Sequence, residues 1–118
     1  MDWQLLPALA AAGLMTAIGV AAAIRPASLE LVGVFARSPL GTSEIRAVFG
    51  GMFAALGLAA LVTREPVVFA ALGAAWLADV TVRMVSVAVD RVPPKEALPV
   101  LAIGLLMGLA LLSGYWLA

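Results

Sequence analysis

The strongest constraint in this sequence is the alternation of four long apolar stretches with short polar links. Gln4 to Ile24 carries no charged residue, and neither does Leu98 to Leu117. A stretch starting near Ser43 or Glu44 and ending near Thr63 has its charges, Glu44 and Arg46, only at the start. Another, from Pro66 or Val67 to about Val89, holds Asp79 and Arg83 in its second half. In lipid a backbone must satisfy its own N–H and C=O groups, which a helix does, and about 20 residues cross a hydrocarbon core of about 30 Å. The chain of 118 residues is 64% hydrophobic and 12% charged, too apolar and too sparsely charged for an ordinary soluble domain. The expected fold is therefore all-α. It is a polytopic membrane protein with four transmembrane helices, at about residues 4–24, 44–63, 67–89 and 98–117, forming one domain over 1–118.

The punctuation between spans is chemically specific. Pro7 falls in the first turn of the first span, where a missing N–H does no harm. Ala21-Ala22-Ala23 looks like a signal-peptide cleavage site, but the residues before the apolar stretch offer Asp2 and no Lys or Arg, which favours a retained span. Ser38-Pro39-Leu40-Gly41 reads as a turn, after which Thr42 or Ser43 would cap the second span. Arg64-Glu65-Pro66 makes a tight turn, and Val92-Pro93-Pro94 ends the third span. The longer link from Arg25 to Thr42 predicts a short interfacial helix at about 27–37. There Pro26 starts it, Glu30 and Arg37 suit the helix dipole, and Leu29, Val32 and Phe35 recur every third residue.

Four crossings put both termini on one side. The opposite side collects Arg25, Arg37, Arg91 and Lys95, with Arg46 and Arg83 close to it, whereas the terminal side has only Arg64. Basic residues mark the cytoplasmic face, so both termini are expected outside the cytoplasm, in the periplasm of a bacterial inner membrane. Trp3, Tyr115 and Trp116 would then form an aromatic anchor at the outer interface.

The chain contains neither Cys nor His, which removes zinc fingers, histidine-ligated haem, iron–sulfur clusters, thiol nucleophiles and Ser-His-Asp triads. No metal or cofactor is expected. With zero net charge and no basic run, nucleic acid is not an expected partner, while membrane lipids are. A homo-oligomer or a larger membrane complex is compatible with the sequence.

Depth can be counted from the turn at Arg64-Glu65. Arg46 and Arg83 each lie about five helical turns from it, near ~27 Å, at the cytoplasmic boundary. Asp79 lies near ~21 Å, inside the hydrocarbon region, and Glu44 at or just beyond the boundary. An Asp at a helix centre costs about 2.5–3.5 kcal/mol to insert. Val67, Val68, Phe69, Leu72, Leu77, Val80 and Val82 together return about 2–4 kcal/mol, so the third span needs its acid paired. Asp79 and Arg83 are spaced i,i+4 in the favoured order, and Arg46 is the expected cross-helix partner. The candidate ligand-binding set is Glu44, Arg46, Trp76, Asp79, Arg83 and Ser86, with Asp79 and Glu44 as candidate acid–base groups. Each has a plainer reading as well. Glu44 complements a helix dipole, the arginines snorkel to phosphates, Trp76 packs between helices, and Ser86 with Asp90 belongs to a solvated helix end. Asp79 is the hardest to explain in that way, because acids inside membranes are characteristically paired and functional.

Small residues mark expected helix-packing faces: Gly13-x-x-x-Ala17-x-x-x-Ala21, Gly50-x-x-x-Ala54, Gly51-x-x-x-Ala55 with Gly57, and Gly104-x-x-x-Gly108.

The stretch Ser43-Glu44-Ile45-Arg46-Ala47-Val48-Phe49-Gly50-Gly51, followed by Gly57, resembles a family of small bacterial four-helix membrane proteins known as a domain of unknown function. In that family the second helix opens with Glu-aliphatic-Arg-Ala-x-aromatic-Gly-Gly. The third ends with Arg-x-x-Ser-x-x-x-Asp, here Arg83 to Asp90. The resemblance covers nearly the whole chain and implies the four-helix fold and the polar motifs, but no activity. Two departures stand out. Val92-Pro93 replaces a glycine-proline turn, and the fourth span has no Glu between Ala97 and Ala118, where the family's fourth helix often carries one.

Function stays open between two main readings. One is a non-enzymatic membrane module that binds a lipid-like ligand or serves as an accessory subunit, with Arg25 and Arg37 adding anionic-lipid contacts. The other is a small enzyme doing isomerisation or proton transfer on an isoprenoid, sterol-like or quinone substrate, using Asp79 and Glu44 with an arginine stabilising developing charge. A proton-coupled exporter of the small multidrug type is the weakest, because the first span lacks the membrane-embedded Glu on which such exporters centre.

Overall fold

A computed structural model describes residues 3–117, so Asp2 and Ala118 lie outside the described residues. Described residues form helices and turns, with no strand among them. Four helices are long and apolar enough to cross a membrane, at 22, 25, 24 and 23 residues. The first comprises a 3-10 turn, Trp3–Leu5, and α1, Leu6–Ile24. The others are α2 (Pro39–Thr63), α3 (Pro66–Val89) and α4 (Pro94–Trp116). At 1.5 Å per residue these lengths give about 33–37 Å, enough for the hydrocarbon core. The chain is a multi-pass membrane protein.

Prolines set three of the four starts, each at the first helical position where no N–H is needed. This corrects two boundaries. The second helix begins at Pro39, ahead of the expected Ser43 or Glu44, because Ser38 rather than Thr42 or Ser43 is its cap: Ser38 Oγ accepts from the Gly41 N–H at 3.0 Å. The fourth begins at Pro94, ahead of Leu98, because the second proline of the pair ends nothing and starts a helix instead. Pro99 then sits inside α4 and removes the donor that would meet the Lys95 carbonyl.

The link after α1 also departs from expectation. In place of an interfacial α-helix over 27–37 there is a 3-10 helix, Pro26–Val32, closed by Gly33 at φ +85°. That left-handed residue stops the helix before Phe35 and Arg37 can join it. Leu29 is buried with Ala22 and Ile45, while Leu31 is 91% exposed.

The chain divides into two compact units. One comprises residues 12–64, hence most of α1 with α2; the other comprises α3, α4 and the start of α1 up to Ala11. In the first unit α1 and α2 run antiparallel along a seam of small residues. A Cβ on Gly57 would lie 2.4 Å from Thr16 Oγ1, one on Gly19 2.4 Å from the Ala54 nitrogen, and one on Gly50 2.8 Å from the Ala23 nitrogen. The face α1 uses is thus Ala12, Thr16, Gly19 and Ala23. The expected Gly13, Ala17 and Ala21 face is not the one used: a Cβ on Gly13 meets nothing within 4 Å, and Ala17 and Ala21 are exposed. On α2, Gly50 and Ala54 pack as expected while Gly51 and Ala55 face outward.

In the second unit α3 and α4 form a hairpin in which Gly73 meets Leu112, Gly108 meets Leu77 and Gly104 meets Val80. Phe69 and Leu111 are fully buried, and Gly114 lies against Phe69 and Ala8. Large residues point the other way, among them Val67, Val82, Val89, Leu98 and Leu106. Small residues inside and branched ones outside is the arrangement a lipid solvent permits.

Candidate functional site

α3 carries a polar row along one face. Asp79 and Arg83 are one turn apart and pair, Arg83 Nε donating to Asp79 Oδ2 at 2.8 Å. Both side chains are about half-exposed, at 42% and 41%. One turn further, Ser86 Oγ donates to the Asp90 carboxylate, and the Asp90 N–H donates to the Ser86 carbonyl at 2.7 Å, closing α3. The Asp79 carboxylate also faces α4 beside Gly104, where an added Cβ would lie 3.7 Å from Oδ2. Trp76, one turn before Asp79, is half-buried.

The i,i+4 spacing makes the Asp79–Arg83 pair a local one that α3 forms with no help from another helix. It neutralises the acid where hydrocarbon would penalise a lone charge. Arg83 contributes only Nε; its two terminal amino groups make no hydrogen bond among the described residues. A guanidinium held this way is oriented by the carboxylate and still presents a fork of donors, the geometry that suits a planar or tetrahedral anion.

Arg46 is engaged within its own unit, residues 12–64. Its Nη1 donates to the Ala23 carbonyl and lies 3.5 Å from the Ile24 carbonyl, at the C-terminal end of α1. The reason is local. α1 stops at Ile24 ahead of Pro26, which leaves its last carbonyls without helical donors. A cation there also opposes the negative end of the helix dipole. Glu44, two residues earlier, is exposed and forms no ion pair among the described residues.

Of the six candidate residues, Trp76, Asp79, Arg83 and Ser86 thus share one helix, and Arg46 with Glu44 belongs to the opening of α2. Ile45–Met52, which contains Arg46 and the Gly50-Gly51 pair, is a π-helix, a form that is rare and recurs at functional sites. Periodicity alone could not reveal it. The orphaned α1 carbonyls ahead of Pro26 were the available clue to the Arg46 contact. Among the described residues no three acidic side chains gather as a metal site.

No protein-family model, curated protein or solved structure matches the chain.

Proposed function

We propose that the chain is a non-enzymatic module of the bacterial inner membrane, with both termini periplasmic, that binds a lipid-like ligand bearing an anionic group at the polar row of α3. The observation that carries this is the Asp79–Arg83 pair: a fixed, half-exposed guanidinium with unused donors on a membrane-spanning helix. A binding role is favoured over turnover because the Asp79 carboxylate is already engaged by Arg83, whereas a general base must be able to reach its substrate proton. Glu44, the other acid–base candidate, lies exposed in the opening turns of α2.

Native mass spectrometry of the protein released gently from its own membrane tests this reading. A copurifying lipid-like anion that is lost from Arg83→Gln is the expected result. Arg83→Lys keeps the charge without the fork and should retain the ligand weakly, by about tenfold less. A stoichiometric copurifying protein with no lipid would replace the proposal with an accessory-subunit role. Conversion of the bound molecule by wild type but not by a folded Asp79→Asn variant would replace it with an enzyme.

A further inference from the structure

A second basic group lies at the end of α1, in the unit made by residues 12–64. Arg46 is fixed there by the Ala23 and Ile24 carbonyls through Nη1 alone. Its Nε and Nη2 make no hydrogen bond among the described residues, and the side chain is exposed. Arg25 follows directly on Ile24. Its side chain is exposed and forms no ion pair among the described residues. Arg25 is thus the next residue in the chain after the two whose carbonyls hold Arg46.

The placement of Arg46 is built into the backbone. It lies in the π segment, one turn before Gly50, whose closeness to Ala23 pins α2 against α1 at this level. The acidic residues of the same stretch, Glu30 and Glu44, are both exposed and form no salt bridge among the described residues. The chain on either side of Arg25 also exposes large apolar side chains: Ile24 is 68% exposed, Leu31 91% and Phe35 61%.

We infer that Arg46 and Arg25 form a site for the phosphate of an anionic phospholipid, with the exposed Ile24, Leu31 and Phe35 set against its acyl chains. Oriented guanidinium donors match phosphate oxygens, and each basic residue near an anionic surface adds about fivefold in affinity. The exposed apolar side chains of this stretch favour a lipid over free phosphate. The site shares no residue with the α3 row and stands without it.

The test uses the full chain in detergent, with phosphatidylglycerol and phosphatidylcholine as competing probes and native mass spectrometry as readout. Wild type should retain phosphatidylglycerol preferentially, and excess inorganic phosphate should not displace it. Arg25→Gln should weaken that retention about fivefold. Arg46→Lys, which keeps a donor for the Ala23 carbonyl but loses the fork, should weaken it similarly, with helix content unchanged by circular dichroism. Arg83→Gln should leave it unaltered. Retention equal to wild type in folded Arg25→Gln and Arg46→Lys would overturn the inference, as would equal retention of the two lipids or displacement by phosphate alone. If Arg46→Lys does not fold, Arg25→Gln decides, since the exposed Arg25 side chain makes no hydrogen bond or ion pair among the described residues.

Discussion

One missing methyl group at Gly50 sets how closely α2 approaches α1. A Cβ there would meet Ala23 backbone atoms at 2.8 and 2.9 Å, and backbone cannot yield as a flexible side chain does. Gly50→Ala should lower stability by about 2 kcal/mol, the usual cost of overpacking. Gly51→Ala, one residue on, has only the Arg46 carbonyl oxygen at 4.0 Å and should be neutral or gain up to about 1 kcal/mol from helix propensity. Reversible unfolding of both variants in mixed micelles checks the contrast. At this scale the sequence was readable where the interaction is local. The Asp79–Arg83 pair follows from spacing within one helix. The Arg46 contact was not readable, because its acceptors are carbonyls, which every residue carries and no sequence marks. The same limit hid the packing face of α1: small residues stand in two phases, and Ala12-Thr16-Gly19-Ala23 was chosen by the partner surface, not by composition.

Each long helix is two-faced in an unfamiliar sense. On α4, Leu111 is fully buried while Leu106 is 69% exposed, although the two are alike in sequence. Leu111→Ala should destabilise by about 2–3 kcal/mol through lost packing, and Leu106→Ala by much less, since its side chain meets lipid in either state. Denaturant titration of the two variants in one detergent separates them. The existence, number and approximate ends of these helices were legible, because hydropathy and charge report directly on burial in lipid. The boundaries moved where a proline acted as a helix start: in the sequence Pro39 reads as part of a turn and Pro94 as a stop. The link was overread as one amphipathic helix, since threefold spacing of Leu29, Val32 and Phe35 does not register a left-handed Gly33 between them. The apolar periodicity of the π segment is that of an ordinary helix and does not mark its wider turns.

For the molecule as a whole, orientation is the property most exposed to test. A reporter active only in the cytoplasm should be inactive when fused after Ala118 and active when inserted in the loop at Val92. The opposite pattern would invert the proposed topology. Two residues described earlier tie this orientation to backbone chemistry. Arg64 and Arg91 adopt left-handed conformations, at φ 53° and 56°, where glycine would be free of the cost of about 1–2 kcal/mol that a side chain carries. Replacing either by glycine should therefore ease the turn, yet the two changes should act oppositely on insertion. Arg64→Gly removes the lone basic residue of the terminal side and sharpens the charge asymmetry, whereas Arg91→Gly erodes it from the other side. A chain ranked only by folding free energy would accept both substitutions. The translocon, which weighs charge before the turns have formed, would favour the first and be weakened in its choice by the second.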